Sequence, residues 1–319
     1  MKKIAIINVS IPPDMRKHWK CVIPRFTKKA KWFEPFNEKG QTAIYCEVDM
    51  QNPKYDAFLA LLEEHGLMYP NNREDPDYEK MFQAVLESEG VSWSVIRIEH
   101  RYTDKELRGF PLLSLSVDRA EIDPWGPNYG TTYDLSQGCT ACGTGAVQTS
   151  PFFAPRSSLP KTGLVCDSGT EKLVATPLAA ALRAAHVTGL ELRQVQSSRD
   201  HNPLPWWQII LEYTMPKMSP ATRGVIRGDP PPCPHCQRDG HYETLREPQE
   251  IVYDRNDVVP DNIPDVVQSW EHFGQSWIDK EDFRRSRFAE PLVLVKPRVF
   301  DIFRRLKVRG ARFDPVRIE

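Results

Sequence analysis

The chain has no apolar stretch near the roughly 18 residues that span a bilayer. It also has almost no net charge: 42 Lys and Arg against 43 Asp and Glu leave −1 over 319 residues. The first absence argues against a helical membrane protein, the second against binding nucleic acid through overall charge. The motifs of common catalytic sites are missing too. There is no phosphate loop, no Gly-x-Gly-x-x-Gly, no Gly-x-Ser-x-Gly and no His-Glu-x-x-His. "CGTGA" at 142–146 has glycines but neither the strand-to-helix setting nor the lysine of a phosphate cradle. Cysteine is scarce and odd in number, at seven, which argues against a disulfide scaffold. The start, "MKKIAIINVSIPP", soon meets two prolines. It reads as a strand rather than a secretion signal, so a cytoplasmic location is expected.

What is present suits a folded protein of about two domains. Hydrophobic residues make up 40% and aromatics 10%. Charge is uneven: residues 1–39 are basic, 40–123 acidic and 281–319 basic again. "KKIAIINVS", "QTAIYCEVDM", "SWSVIRIEHRY" and "PLLSLSVDRAEI" read as strands. "NPKYDAFLALLEEHG" reads as a helix capped by Asn52, with Pro53 in its first turn, Gly66 as its stop and Phe58, Leu61, Leu62 and His65 on one face. "DPDYEKMFQAVLESEG" follows the same grammar, from Asp75 and Pro76 to Gly90, with Met81, Phe82, Val85 and Leu86 as its stripe. Residues 1–126 therefore read as an α+β domain. The turn-rich "DPWGPNYGTTYD" (123–134) marks the expected boundary, and 127–319 forms the second domain.

That second part carries a weak internal repeat. Residues 172–196 and 292–317 both run strand, helix, strand. Pro177 and Pro297 open the helices, and Gly189 and Gly310 are expected to supply left-handed stops. The two units are expected at about 164–196 and 291–318, as a shared supersecondary element rather than a full duplication. In the second, Val299, Ile302, Phe303 and Leu306 form the buried stripe, and Arg304, Arg305 and Lys307 are left for solvent or a partner.

Each unit follows a Cys-x-x-Cys pair: Cys139 and Cys142 in "GCTACGTG", Cys233 and Cys236 in "PPCPHCQRDG". Thiolates are favoured ligands of tetrahedral structural zinc, and two such turns can close on one ion. The gap between the pairs exceeds the about 15–20 residues of a compact zinc ribbon, so the intervening segment has to fold as a unit that returns its ends. A redox pair would open a helix, which neither pair does convincingly. One structural zinc, redox pairs and no metal all stay open. His235 and His241 are substitute ligands. Cys21, Cys46 and Cys166 are expected to be ordinary buried thiols.

Other groups invite a role. Trp206 and Trp207 in "PLPWWQII" either face a partner or pack a seam. Glu63, Glu64, Glu74 and Asp77 lie in the acidic region, Lys28, Lys29 and Lys31 in the basic start. Asp118, Glu121 and Asp123 cluster near a strand end. Glu271 and His272 are adjacent on an expected strand, which points them to opposite faces.

In their order, "YDLSQGCTACGTG", "LVATPLAAALRAAHVTGLELRQVQ", "PPCPHCQRDG", "SWEHFGQS" and "PLVLVKPRVFDIFRRLKVRGARFDPVRI" resemble the double-CxxCG proteins of myxobacteria, associated with immunity to polymorphic toxins. The resemblance covers about 127–319. It implies metal binding at Cys139, Cys142, Cys233 and Cys236, and a non-catalytic, cytoplasmic protein that neutralises a cognate protein toxin. The chain departs from the family's pattern at Gln237, where CPHCQRDG stands in place of CPHCG. Two other readings are kept: a zinc-ribbon nucleic-acid-binding protein using the basic C-terminal helix, and an enzyme with an unfamiliar site.

Overall fold

Alternating apolar residues turn "KKIAIINVSI" into a strand with one buried face, and it becomes the centre of the first sheet. The computed structural model describes residues 1–33, 41–68, 78–88, 90–117, 126–161, 164–167, 171–228, 231–244, 248–279 and 281–319. Two compact units are present: Met1–Thr103 with Thr244–Pro248, and Asp104–Glu243 with Gln249–Glu319.

In chain order the first unit has β1 (Lys2–Ile11), α1 (Arg16–Val22), β2 (Ala30–Trp32), β3 (Thr42–Asp49), α2 (Lys54–His65), β4 (Gly66–Met68), α3 (Tyr78–Glu87) and β5 (Val91–Arg101). The strands form one sheet in the order β2-β3-β1-β5-β4. Only the β4–β5 pair is parallel. Ile7, Val9 and Ile11 pack with Ile44, Cys46 and Trp93, under Trp19, Phe58 and Leu62.

Asn52 does open α2, its side chain accepting the Lys54 N–H at 3.0 Å. Gly66 is not a left-handed stop. It is extended, with φ −160, and begins β4, where a Cβ would strike the Val91 carbonyl. Of the expected α3 stripe, Val85 is buried and Met81 exposed. The side chains of Phe82 and Leu86, and residues Asp75 and Pro76, lie outside the described residues. Cys46 is buried as expected but Cys21 is exposed; the Cys166 side chain lies outside the described residues.

The second unit contains α4 (Asp104–Leu107), β6 (Leu112–Val117), β7 (Tyr133–Asp134), β8 (Val147–Gln148), β9 (Phe153–Ala154), β10 (Val165–Asp167), β11 (Lys172–Ala175), α5 (Thr176–Ala184), β12 (Leu190–Ser197) and β13 (Pro203–Leu211). It continues with β14 (Val225–Arg227), β15 (His241–Glu243), β16 (Ile251–Tyr253), β17 (Val266–Phe273), β18 (Glu290–Val295), α6 (Pro297–Arg305) and β19 (Ala311–Ile318). Two five-stranded sheets have the orders β10-β11-β13-β12-β9 and β17-β18-β6-β19-β16, beside two-stranded hairpins β7-β8 and β14-β15.

The two sheets match strand for strand. β11 and β12 flank β13, each antiparallel to it; β18 and β19 flank β6 in the same way. β10 and β17 are the antiparallel outer neighbours, and β9 and β16 the parallel ones. Read from β6, the chain runs strand, hairpin strand, cysteine pair, hairpin strand, three strands, helix, strand. Read from β13 it runs the same. The second unit is thus a complete topological duplication, beyond the single shared element expected. Its middle strands are exchanged: β13 fills the sheet built by the first copy, β6 the sheet built by the second.

This exchange corrects the expected boundary at 123–134. Leu112, Leu113 and Leu115 of β6 are buried within the second unit's sheet, so the division falls between Thr103 and Asp104. Residues 118–125, with Asp118, Glu121 and Asp123, lie outside the described residues.

The helices end alike. The left-handed residue is not the expected glycine but His186 (φ 49) after α5 and Lys307 (φ 53) after α6. His186 donates its N–H to Arg183 and Val187 to Leu182, at 2.9 and 3.2 Å; Lys307 donates to Arg304 and Val308 to Phe303, both at 3.0 Å. These are Schellman closures. Gly189 (φ 84) and Gly310 (φ 77) are left-handed three residues later, where the chain turns into the next strand. Val299, Phe300, Ile302 and Phe303 of α6 are buried, and Phe313 meets both phenyl rings edge-on at 5.1 and 5.4 Å. Each such side chain contributes roughly 1.5–3 kcal/mol. Packing therefore holds α6, whose N-cap makes no side-chain bond.

Candidate metal centre

The two cysteine pairs sit in turns at the tips of β7-β8 and β14-β15, and the fold brings them together. The sulfurs of Cys139, Cys142, Cys233 and Cys236 lie within 4.8 Å of one another. Equivalent residues face each other across the copies: Cys139 Sγ is 3.8 Å from Cys233 Sγ, and Cys142 Sγ is 3.6 Å from Cys236 Sγ. Four sulfurs bound tetrahedrally at about 2.3 Å from one ion would be about 3.8 Å apart. The spacing is compatible with one metal ion. It is too long for the ~2.05 Å sulfur–sulfur bond of a disulfide.

The local sequence explains the turns. Asp134 accepts the Ser136 N–H at 2.9 Å and fixes the approach to the first pair. Gly143 (φ 77) then reverses the chain and packs against Ile278 and Phe288. In the second pair Asp239, almost fully buried, accepts the N–H of Cys233 at 2.9 Å and of Ser276 at 3.1 Å. Ser276 also accepts the Ala289 N–H at 2.7 Å. Thr144 Oγ1 lies 3.0 Å from Ser276 Oγ and 3.1 Å from Cys142 Sγ. With that sulfur ionised, both hydroxyls can turn, so that Ser276 donates to Thr144 and Thr144 to the sulfur. Such a shell orients a ligand and stabilises its thiolate.

The thiols differ in acidity. Burial pushes Cys139 up, but the amides of Cys142 and Ala141 and the sulfurs of Cys142 and Cys233 together bring it down to about 7. Burial raises Cys142 and Cys236. Four thiolates in this space repel one another, and a bound cation is what lets them ionise together.

His235 is exposed, and His241 is buried with Nε2 3.4 Å from the Gln237 carbonyl. Neither belongs to the converging set. Neither cysteine pair opens a helix.

The other sequence candidates scatter. Glu63 and Glu64 are exposed on α2; Glu74 and Asp77 lie outside the described residues. Trp206 is buried with Phe152, Leu173 and Leu204, so it packs a core. Trp207 is half-buried, its ring covered by the Arg183 guanidinium at 3.8 Å. Arg304 pairs with Asp104 at 3.0 Å and stacks on Phe300, whereas Arg305 is exposed. Lys28 is exposed, Lys29 pairs with Glu47 at 3.4 Å, and Lys31 lies over the Phe33 ring. Glu271 and His272 are both buried. Glu271 accepts the Met218 N–H at 2.8 Å, while His272 lines a cavity together with Glu171 and Arg238, two residues the sequence reading passed over. No helix among the described residues is long and apolar enough to cross a membrane. No family model and no curated protein matches the chain.

Proposed function

We propose that this chain is a non-catalytic binding protein of the immunity type, neutralising a cognate toxin from a scaffold tied together by one structural zinc. The supporting observation is the donor set: four cysteine sulfurs within 4.8 Å, two from each copy. Four thiolates leave no open coordination position for chemistry, whereas a catalytic zinc keeps one. An ion bound there cross-links the two copies, as a rigid scaffold requires. The zinc-ribbon description fits the two hairpins that carry the pairs. Toxin neutralisation rests on the resemblance to the double-CxxCG proteins, and a cytoplasmic location goes with it. Glu63 and Glu64 offer acidic contacts to a basic partner.

Co-purification from the native cells at moderate salt tests the reading. The expected result is one stoichiometric protein, toxic when expressed alone and silenced by this chain. Charge reversal at Glu63 and Glu64 should weaken that complex. Metal analysis should give one zinc per chain. Nucleic acid in the eluate, with affinity falling steeply in salt, would instead support the nucleic-acid reading. The ion pairs of Arg304 with Asp104 and Arg298 with Asp265 count against it, because they occupy cations of the C-terminal helix.

A further inference from the structure

Between the two copies, next to the cysteine centre, lies a cavity of about 410 Å³. That is within the range of small-ligand sites, ~300–1,000 Å³. The loop after the first cysteine pair and residues of β17 and β18 contribute to its lining.

Its charges are unbalanced. Three cationic side chains line it: Lys172, Arg193 and Arg238. Lys172 is answered by Glu290 at 2.6 Å, and Arg193 by Glu191 at 3.3 Å. Arg238 has only the Trp270 carbonyl, 3.2 Å from Nε. Among the described residues, its two terminal nitrogens have no acceptor. Nη1 lies against Gly145, where a Cβ would sit 3.4 Å away. The carboxyl group in the lining, Glu171, is pushed up to about 7 by burial, so it carries little negative charge below neutrality. Burial and Arg238 hold His272 down at about 3, which leaves it neutral. Burial lowers the Arg238 pKa, and the nearby charges of Cys236, Glu271 and Cys142 only partly offset it. Terminal nitrogens without an acceptor leave the guanidinium able to take an incoming anion. Ile209, Leu211, Phe288 and Val293 supply an apolar remainder.

We propose that this cavity binds a small organic anion, a carboxylate or phosphate with an apolar body, whose charged end is held by Arg238. Guanidinium suits both anions because its parallel N–H groups match two oxygens. The inference stands apart from the immunity reading, since the cavity requires no protein partner.

The test uses the full-length, metal-loaded chain. It is titrated calorimetrically with hexanoate and with inorganic phosphate, each against sodium chloride at equal ionic strength. Saturable binding of at least one probe is expected, and the tighter one identifies the head group. Arg238→Gln should weaken it at least tenfold with zinc content unchanged. If Arg238→Gln loses zinc, Leu211→Trp carries the test, because it adds bulk to the cavity lining and should abolish binding of whichever probe binds, with zinc retained. No saturable binding by the wild-type chain would overturn the proposal and leave Arg238 as a counter-charge for the cysteine centre. Binding unaffected by either variant would overturn it as well.

Discussion

Gly143 and Gln237 occupy the same place in the two cysteine turns. Each follows the second cysteine of its pair, and each has positive φ, 77 and 56. Each donates its N–H to the carbonyl of the first cysteine, Gly143 to Cys139 at 2.7 Å and Gln237 to Cys233 at 2.8 Å. The glutamine holds a conformation that L-residues adopt at a cost of about 1–2 kcal/mol. Gln237→Gly should therefore keep the metal site and raise stability by up to about 1 kcal/mol, less the entropy of a freer unfolded chain. Gly143→Ala should do the opposite. Its Cβ would lie 2.7 Å from Ile278 and 2.8 Å from Phe288, so a loss of about 1–3 kcal/mol is expected. Urea unfolding of both variants checks this.

Cys139→Ser and Cys233→Ser remove one ligand from opposite copies of a single site. Both should lose stoichiometric zinc, and both should melt lower, by roughly 10 °C for a loss of several kcal/mol. Equal effects from the two variants are the signature of a shared ion. A variant with full zinc and an unchanged melting temperature would separate the pairs into independent elements.

Asp239 contributes through the shell rather than the metal. Asp239→Ala strips acceptors from two buried amides, those of Cys233 and Ser276. Each orphaned group costs about 1–3 kcal/mol. Asp239→Asn retains one carbonyl acceptor and should cost less. Competition with a chelator should show zinc affinity falling in the same order, wild type above Asn above Ala.

The pH dependence of stability should carry the mark of Glu171. Burial lifts its carboxyl from 4.5 to about 7, so the folded chain holds that proton more tightly than the unfolded chain. The contribution is fully present below pH 4.5 and is lost as pH rises through about 7. Glu171→Gln carries no such titration. The melting temperature of the variant relative to wild type should climb across that window and stay level above it. A difference that does not change between pH 4.5 and 7 would place Glu171 in open solvent.

The four-cysteine cluster was legible because cysteine chemistry is local: two Cys-x-x-Cys turns name the candidate donors whatever the chain does between them. The helices of the repeat were legible for a similar reason, since Pro177 and Pro297 punctuate them. Their left-handed stops were not, because His186 and Lys307 carry no mark of φ in their chemistry. The exchanged strands were hidden for a different reason. Alternation in "PLLSLSV" shows that a strand buries a face, but not which strand it pairs with, so the sequence alone groups β6 with residues 1–126. The cavity was hidden most deeply. Glu171, Arg238 and His272 come from distant segments, and only the pairing of the two copies brings them around one cavity.

The exchange also sets the order of assembly. As the chain leaves the ribosome, β6 emerges long before its hydrogen-bonding partners β18 and β19. Leu112, Leu113 and Leu115 must stay out of wrong pairings until those strands are made, with their backbone amides unsatisfied by their native sheet. Pairings so distant in sequence slow folding, because loop-closure entropy is lost before contacts repay it. The sheet of β9 to β13 lies wholly within 153–211 and can form early, whereas the sheet around β6 has to wait. The sheet around β6 closes only once β18 and β19 are available to pair with it.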